Sequence, residues 1–414
     1  MKKILLLIVS VVLFASCWHD DEPELDKADR TLLAYFLTKD LSQLKGNVET
    51  IFEGLQSTTK ASTALIYWDN YNGLLEAPCI IEYSSDGKGN VNNISLSKYK
   101  TDLQSTNSSF DLIVSYGKVV KKYPLNQQST DKDVITTILR DMINISPTNG
   151  YGLIFGSHGE SWIPSPNVKF ETRALASTYS NQIDIIDLNE ALLNVSKKFD
   201  YILMDACMMA NIEVIYELQN TCKYYIGSPM EVPGVGFPYK IITPYLFSDN
   251  VSDYTSKVCE TYASYHTNER NWGNCIAVDC SQVSSLTNEL KNYIDSYSSS
   301  SIDLNMLQPY HSDQSNKGVY TGLSYDILDF VNKLTSDKPS SSFINQLNKT
   351  VVAKSFAMAT TSNYPSFVGV DVSTLCGMGM YIPISSKTKW NQYLKQIMWG
   401  DASGWSSYLE KNNL

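Results

Sequence analysis

Residues 199–218 read FDYILMDACMMANIEVIYEL. The first seven are an apolar run broken only by acidic residues, short enough to be a buried strand and too short for an ordinary helix. From Met208 onward the period changes: Met208, Ile212 and Ile215 fall at i, i+4 and i+7, one stripe of a helix over residues 208–218. A strand feeding a helix is the repeating unit of a parallel sheet. The same alternation extends outward in both directions. Downstream, CKYYIGSP (222–229) reads as another strand. Upstream lie a short helix over 188–195, a polar loop over 157–183, and GYGLIFGSHGES (150–161), whose first seven residues form a strand. Before that, TDKDVITTILRDMINI (130–145) carries Val134, Ile138 and Met142 on one helical face and is stopped by SPTNG. STALIYWDN and PCIIEYSS add two strands, separated from the later ones by the turn-rich SSDGKGNVNN. Residues 28–55 space Leu33, Phe36, Leu37, Leu41 and Leu44 as an amphipathic helix. The pattern predicts an α/β fold, a mostly parallel sheet sandwiched by helices.

After PGVGFPY the alternation loosens. CIAVDC (275–280), FVGVDVS and CGMGMYIPI read as strand-like pieces that complete or extend the sheet, and SYSSSSID marks a break. No internal repeat occurs. The expected organisation is a leader over 1–17, a tether and N-terminal helix over 18–60, a catalytic α/β domain over 61–250, and C-terminal additions over 251–414.

The chain has 414 residues, a formal net charge of −10 and only four histidines. An acidic balance argues against a nucleic-acid binder, which would present a basic face. The N-terminus, MKKILLLIVSVVLFASC, sets Lys2 and Lys3 before an apolar run too short to span a bilayer, which is the form of an export signal. FASC ends it as a lipobox-like site with Cys17 as the expected lipidation point, and WHDDEPE follows as an acidic tether carrying His19. An exported lipoprotein at the outer membrane or cell surface is expected. Of eight cysteines, none forms a Cys-x-x-Cys pair, and Cys275 and Cys280 lack zinc-knuckle spacing, so the residues imply no metal; most read as small core residues. His266 and His311 lie in polar stretches and read as surface residues.

Ligands in open α/β sheets bind beyond the carboxyl ends of the strands. His158 follows YGLIF and Cys207 follows YILMD, so adjacent strands would bring imidazole and thiol together. That pair is the minimum equipment for nucleophilic acyl transfer. If Cys207 opens the helix over 208–218, the helix N-terminus lowers its pKa. Gly156 and Gly159 allow a sharp turn and a close approach to a substrate carbonyl, and the amides of Gly159 and Cys207 form a candidate oxyanion hole. No G-x-S-x-G and no H-E-x-x-H occurs, which disfavours serine-hydrolase and zinc-protease readings.

His158-Gly159 and Asp205-Ala206-Cys207, 49 positions apart, resemble the His-Gly and x-Ala-Cys boxes of the caspase-like cysteine peptidases. DACMM followed by Glu213 and Tyr216-Glu217-Leu218, with Trp68-Asp69-Asn70 and GMGMYIPIS, is most similar to the clostripain family, over roughly residues 60–390. The resemblance implies a caspase-like fold and an endopeptidase with His158 as general base and Cys207 as nucleophile. It implies cleavage of proteins or peptides after Arg or Lys, with Asp205 lining the specificity pocket, where a carboxylate selects a cation. It implies self-cleavage between His158 and Cys207, for which Arg173, then Lys169, are the candidates, and a possible Ca2+ dependence, although no EF-hand loop is present. Family members often carry an acidic residue after the fifth strand; this chain reads Gly236-Phe237-Pro238-Tyr239, with Glu231 the nearest acid. Asp205 could instead cap the following helix. The rival class is a non-catalytic surface lipoprotein that binds peptides or glycans through its 27 tyrosines.

Overall fold

The structure, a computed structural model, describes residues 26–37, 44–69, 75–164, 183–269, 272–297, 302–311, 322–357, 367 and 369–414. Its strands are β1 (Arg30–Phe36), β2 (Ala61–Trp68), β3 (Cys79–Asp86), β4 (Asn90–Val91), β5 (Ile94–Ser95), β6 (Lys118–Lys122), β7 (Gly150–Gly156), β8 (Phe199–Asp205), β9 (Cys222–Gly227), β10 (Gly273–Asp279), β11 (Tyr325–Asp326), β12 (Val351–Ala357) and β13 (Gly379–Met380). β11 and β13 pair with each other, and the other eleven form one sheet in the order β12-β10-β9-β8-β7-β1-β2-β3-β4-β5, with β6 against β3. The five central strands, β2, β1, β7, β8 and β9, are parallel, and the flanks are antiparallel.

The first helices are α1 (Leu44–Leu55), α2 (Leu96–Leu103), α3 (Ser109–Tyr116), α4 (Lys132–Ile145), α5 (Ile185–Asn194), α6 (Ile212–Leu218), α7 (Tyr239–Leu246), α8 (Val258–Glu269) and α9 (Val283–Tyr297). Side chains alternate across a strand, so each central strand feeds two cores. Leu33 and Tyr35 of β1, with Leu153, Phe155, Ile202 and Met204, meet α4, α5, α6, α9 and the C-terminal helices on one face. Leu32, Ala34 and Phe36, with Ile154 and Leu203, meet α1, α3, α7 and α8 on the other. Burial on both faces explains why these strands are continuous apolar runs.

Two sequence expectations are corrected here. Residues 28–55 are not one helix: β1 occupies Arg30–Phe36 and α1 begins at Leu44. A strand covered on both faces is nearly continuously apolar, as residues 32–37 are, and helical spacing can be picked out of any such run. β1 pairs with both β2 and β7 at the centre of the sheet, so the sheet begins at Arg30, within the stretch expected to hold a tether and helix. Residues 251–414 supply β10 and β12 to the same sheet. At the strands' amino ends, Arg30 donates to Asp200 at 2.9 Å and lies over the Tyr254 ring, an ion pair shielded from water that ties β1 to β8. Among the described residues, no helix is long and apolar enough to cross a membrane.

Candidate active site

β1 runs to β2 on one side, and the chain returns through α4 to β7 on the other, so the strand order reverses between β1 and β7. That reversal opens a crevice at the strands' carboxyl ends. β7 and β8 are in register there, Gly156 opposite Asp205, and Ser157 N–H donates to the Asp205 carbonyl at 3.3 Å. His158 and Cys207 therefore each follow a matched pair by two residues. Both are half-buried, and both line one cavity of about 190 Å3, together with Leu44, Asn47, Asp205 and Val232.

The glycines act through close approach and not through a left-handed turn. A Cβ on Gly156 would strike the Phe36 ring at 2.3 Å, and one on Gly159 would lie 2.4 Å from the Cys207 carbonyl oxygen and 3.0 Å from its nitrogen. The backbones of the loops that carry His158 and Cys207 thus touch. The left-handed positions lie further on in each loop, at Ser161 (φ 60), two residues after Gly159, and Met208 (φ 58), one residue after Cys207.

Cys207 does not open a helix, as the sequence had suggested: α6 starts at Ile212 with Asn211 as its cap, and Cys207 sits in the loop between. The apolar spacing from Met208 continues into that loop because Met208 and Met209 are buried in the core beneath it. A helix dipole, confined to the first turn, does not reach the sulfur. Burial pushes the thiol up to about 12; the Val232 N–H, donating to Sγ at 3.3 Å, pulls it down, and the charges of Glu231 and Asp205 push it further up.

Asp205 is not a helix cap either. Its Oδ2 accepts from Asn47 Nδ2 at 2.7 Å and Tyr239 Oη at 2.9 Å, and the Phe237 N–H donates to the carboxylate. Burial raises it to about 6, and those three donors limit the rise. Gly236, at φ +67, passes over it; a Cβ there would lie 2.7 Å from Oδ2. His266, expected at the surface, is buried behind this loop, with Nε2 3.1 Å from the Gly236 carbonyl. His311 is also buried. Both fall in polar-looking sequence whose burial comes from distant partners. Glu231 acts on the thiol by charge and is not part of the cavity lining. Asn47 and Tyr239 were missed in the sequence: they lie 158 and 34 positions from Asp205, on helices whose local pattern is ordinary.

A larger cavity of about 470 Å3, between residues 304–309, Tyr325 and Val370, has no thiol in its wall and shares no lining residue with the cavity at His158 and Cys207. The seven cysteines of the described residues are unbonded, and all but Cys207 are buried. Among the described residues, no group of three or more His, Cys, Asp or Glu side chains converges as a metal site. Cys17, His19, Lys169 and Arg173 lie outside the described residues.

The model described as Clostripain family, the C11 peptidases, matches residues 33–411. The chain belongs to the clostripain family. It is a cysteine peptidase, and the non-catalytic lipoprotein is not favoured. The central parallel sheet between helix layers is the fold of solved C11 proteases. A structure titled as an inactive zymogen C11 protease from Parabacteroides distasonis is 24% identical, with a TM-score of 0.69 over 91% of this chain and 98% of that one. A secreted C11 cysteine protease from Bacteroides thetaiotaomicron, solved with an irreversible peptide inhibitor, is 24% identical, with a TM-score of 0.67 over 91% of this chain and 99% of that one. These are likenesses of fold. No curated protein matches the chain.

Proposed function

We propose that this clostripain-family peptidase is an exported, lipid-anchored endopeptidase that uses a His158/Cys207 dyad and cleaves proteins or peptides after Lys or Arg. The observation that carries the reading is the β7–β8 register: with Gly156 opposite Asp205, His158 and Cys207 share one cavity wall. In the reaction, His158 takes the proton of the Cys207 thiol as the sulfur attacks the scissile carbonyl. The amides of Gly159 and Cys207 receive the developing oxyanion, a role supported by the contact between their backbones. His158 then returns the proton to the leaving amine. Water, activated by the same imidazole, hydrolyses the thioester and frees the enzyme.

Asp205 is the carboxylate proposed to select a cationic side chain. Its raised pKa of about 6 gives the preference a pH limit: a cation-ended reporter is cleaved less efficiently below that pH, and a neutral-ended one is not affected through this group. Self-cleavage in the segment between His158 and Cys207, at Arg173 or Lys169, belongs to the same proposal, as does lipidation at Cys17.

The test is hydrolysis of reporter peptides ending in Lys, Arg or Leu by the parent, Cys207→Ala, His158→Ala and Asp205→Asn. Loss of all turnover in the first two variants, and loss of the Lys and Arg preference in the third, is expected. Turnover surviving Cys207→Ala refutes the thiol mechanism. An unaltered preference in Asp205→Asn refutes the pocket assignment.

A further inference from the structure

Asn211 is fully buried at the start of α6, four residues beyond Cys207. Its side-chain amide reaches both catalytic loops. Nδ2 donates to Ser161 Oγ at 2.6 Å, three residues after His158, and to the Met208 carbonyl at 3.1 Å, one residue after Cys207. Its Oδ1 accepts from Ser324 Oγ at 2.5 Å, and Ala210, next to it, accepts from Gly379 N–H at 3.2 Å. Gly379 is pressed so closely on this point that a Cβ there would lie 2.0 Å from Asn211 Oδ1 and 1.9 Å from Ser324 Oγ. The C-terminal region thus closes the far side of the amide.

Ser161 (φ 60) and Met208 (φ 58) are both non-glycine residues in the left-handed region. Such residues keep that conformation only where their surroundings enforce it, and they cluster where geometry serves function. One amide bonds both. Trp162, following Ser161, is buried with its ring 5.2 Å from that of Tyr381, so the His158 loop is anchored on the same C-terminal segment.

We propose that Asn211 is a positioning residue: by joining Ser161 to Met208 it sets the separation of the His158 imidazole and the Cys207 thiol, and Ser324 and Gly379 fix the amide that does so. The inference rests on the His158/Cys207 reading. It makes the C-terminal region part of the catalytic geometry, although none of its described residues lines the catalytic cavity.

The full chain carrying Asn211→Asp, Asn211→Ala, Ser161→Ala, or Ser161→Ala with Asn211→Ala is compared with the parent on a reporter peptide that the parent cleaves. Asn211→Asp keeps the shape and the acceptor toward Ser324 and removes the donor. An ångström of misplacement lowers turnover by about 100-fold, so Asn211→Ala is expected to lower kcat by about 10- to 100-fold with KM within about twofold. The acidic limb of the kcat–pH profile moves because the imidazole has lost its thiol partner. The double variant is no slower than Asn211→Ala alone, since both changes break one link.

A lower thermal midpoint with kcat per folded molecule and pH profile unchanged assigns Asn211 a structural role only and overturns the proposal. If the Asn211 variants do not fold, Ser161→Ala decides: a several-fold loss of kcat at constant KM supports the clamp, and parental kcat overturns it. Cys207→Ala separates the two readings. Activity in that variant brings down the dyad and this inference together, whereas an inactive Cys207→Ala beside fully active Asn211 and Ser161 variants brings down this inference alone.

Discussion

Replacing Gly159 by alanine would put a methyl group 2.4 Å from the Cys207 carbonyl oxygen, 3.0 Å from the Cys207 nitrogen and 3.0 Å from the Ala206 Cβ. None of these atoms is the free end of a flexible side chain, so the clash is relieved only by moving one loop against the other. Ordinary contact begins near 3.4 Å, so the required separation is about 1 Å. Overpacking of this kind costs about 1–3 kcal/mol of stability, which a domain of this size can tolerate. The cost to catalysis is larger, because the displaced backbone carries both the His158 loop and the proposed oxyanion donors. A 1 Å displacement predicts a fall in kcat of about 100-fold. Steady-state kinetics on a short reporter peptide, with the folded fraction measured by thermal unfolding, checks this. A Gly159→Ala enzyme that folds and keeps kcat within threefold of the parent would refute the claim that the two loops are in functional contact.

The state of the nucleophile gives a second expectation. With burial and the charges of Glu231 and Asp205 holding the Cys207 thiol up to about 12, its alkylation by iodoacetamide should rise by about tenfold per pH unit from pH 7 to pH 10; a rate that has levelled off by pH 7 would mean a preformed thiolate. A third concerns Glu213, buried on α6 with Oε1 bonded to the Tyr381 N–H and Oε2 without a hydrogen-bond partner. Burial raises it from 4.5 to about 8, so the folded chain binds this proton more tightly than the unfolded one. That contribution to stability is complete below pH 4.5 and is lost as pH rises through 8. Glu213→Gln removes the dependence, and in urea unfolding its stability relative to the parent should improve by roughly 2–4 kcal/mol between pH 5 and pH 9. Parallel pH curves for the two proteins would contradict it. Glu217, raised to about 7 by burial, acts in the same sense and leaves the variant some residual pH dependence.

The parts of this molecule that were legible in its sequence are those where local pattern and tertiary role agree. FDYILMD and GYGLIFG are strands because both faces of a central parallel strand are buried, and TDKDVITTILRDMINI is a helix because only one of its faces is. His158 and Cys207 were legible as a pair because each ends a strand, and strand ends in such sheets point at one crevice. RTLLAYF was misread for the reason that makes it central: full burial erases the period-two signal. The helix after Cys207 was drawn too long because buried Met208 and Met209 continue the apolar stripe through a loop. Asn47, Tyr239 and Asn211 had no local signature. Their roles come from side-chain contacts to Asp205, Ser161 and Ser324 over long stretches of chain.

The most direct test of the central claim is covalent capture of the nucleophile. The parent and His158→Ala are treated with a chloromethyl ketone peptide ending in Lys or Arg, and the labelled residue is identified by peptide mapping. The account predicts alkylation at Cys207 alone among the seven cysteines of the described residues, slowed by about 100-fold or more when the imidazole is removed. An adduct on another cysteine, or labelling of Cys207 at the same rate without His158, would contradict it.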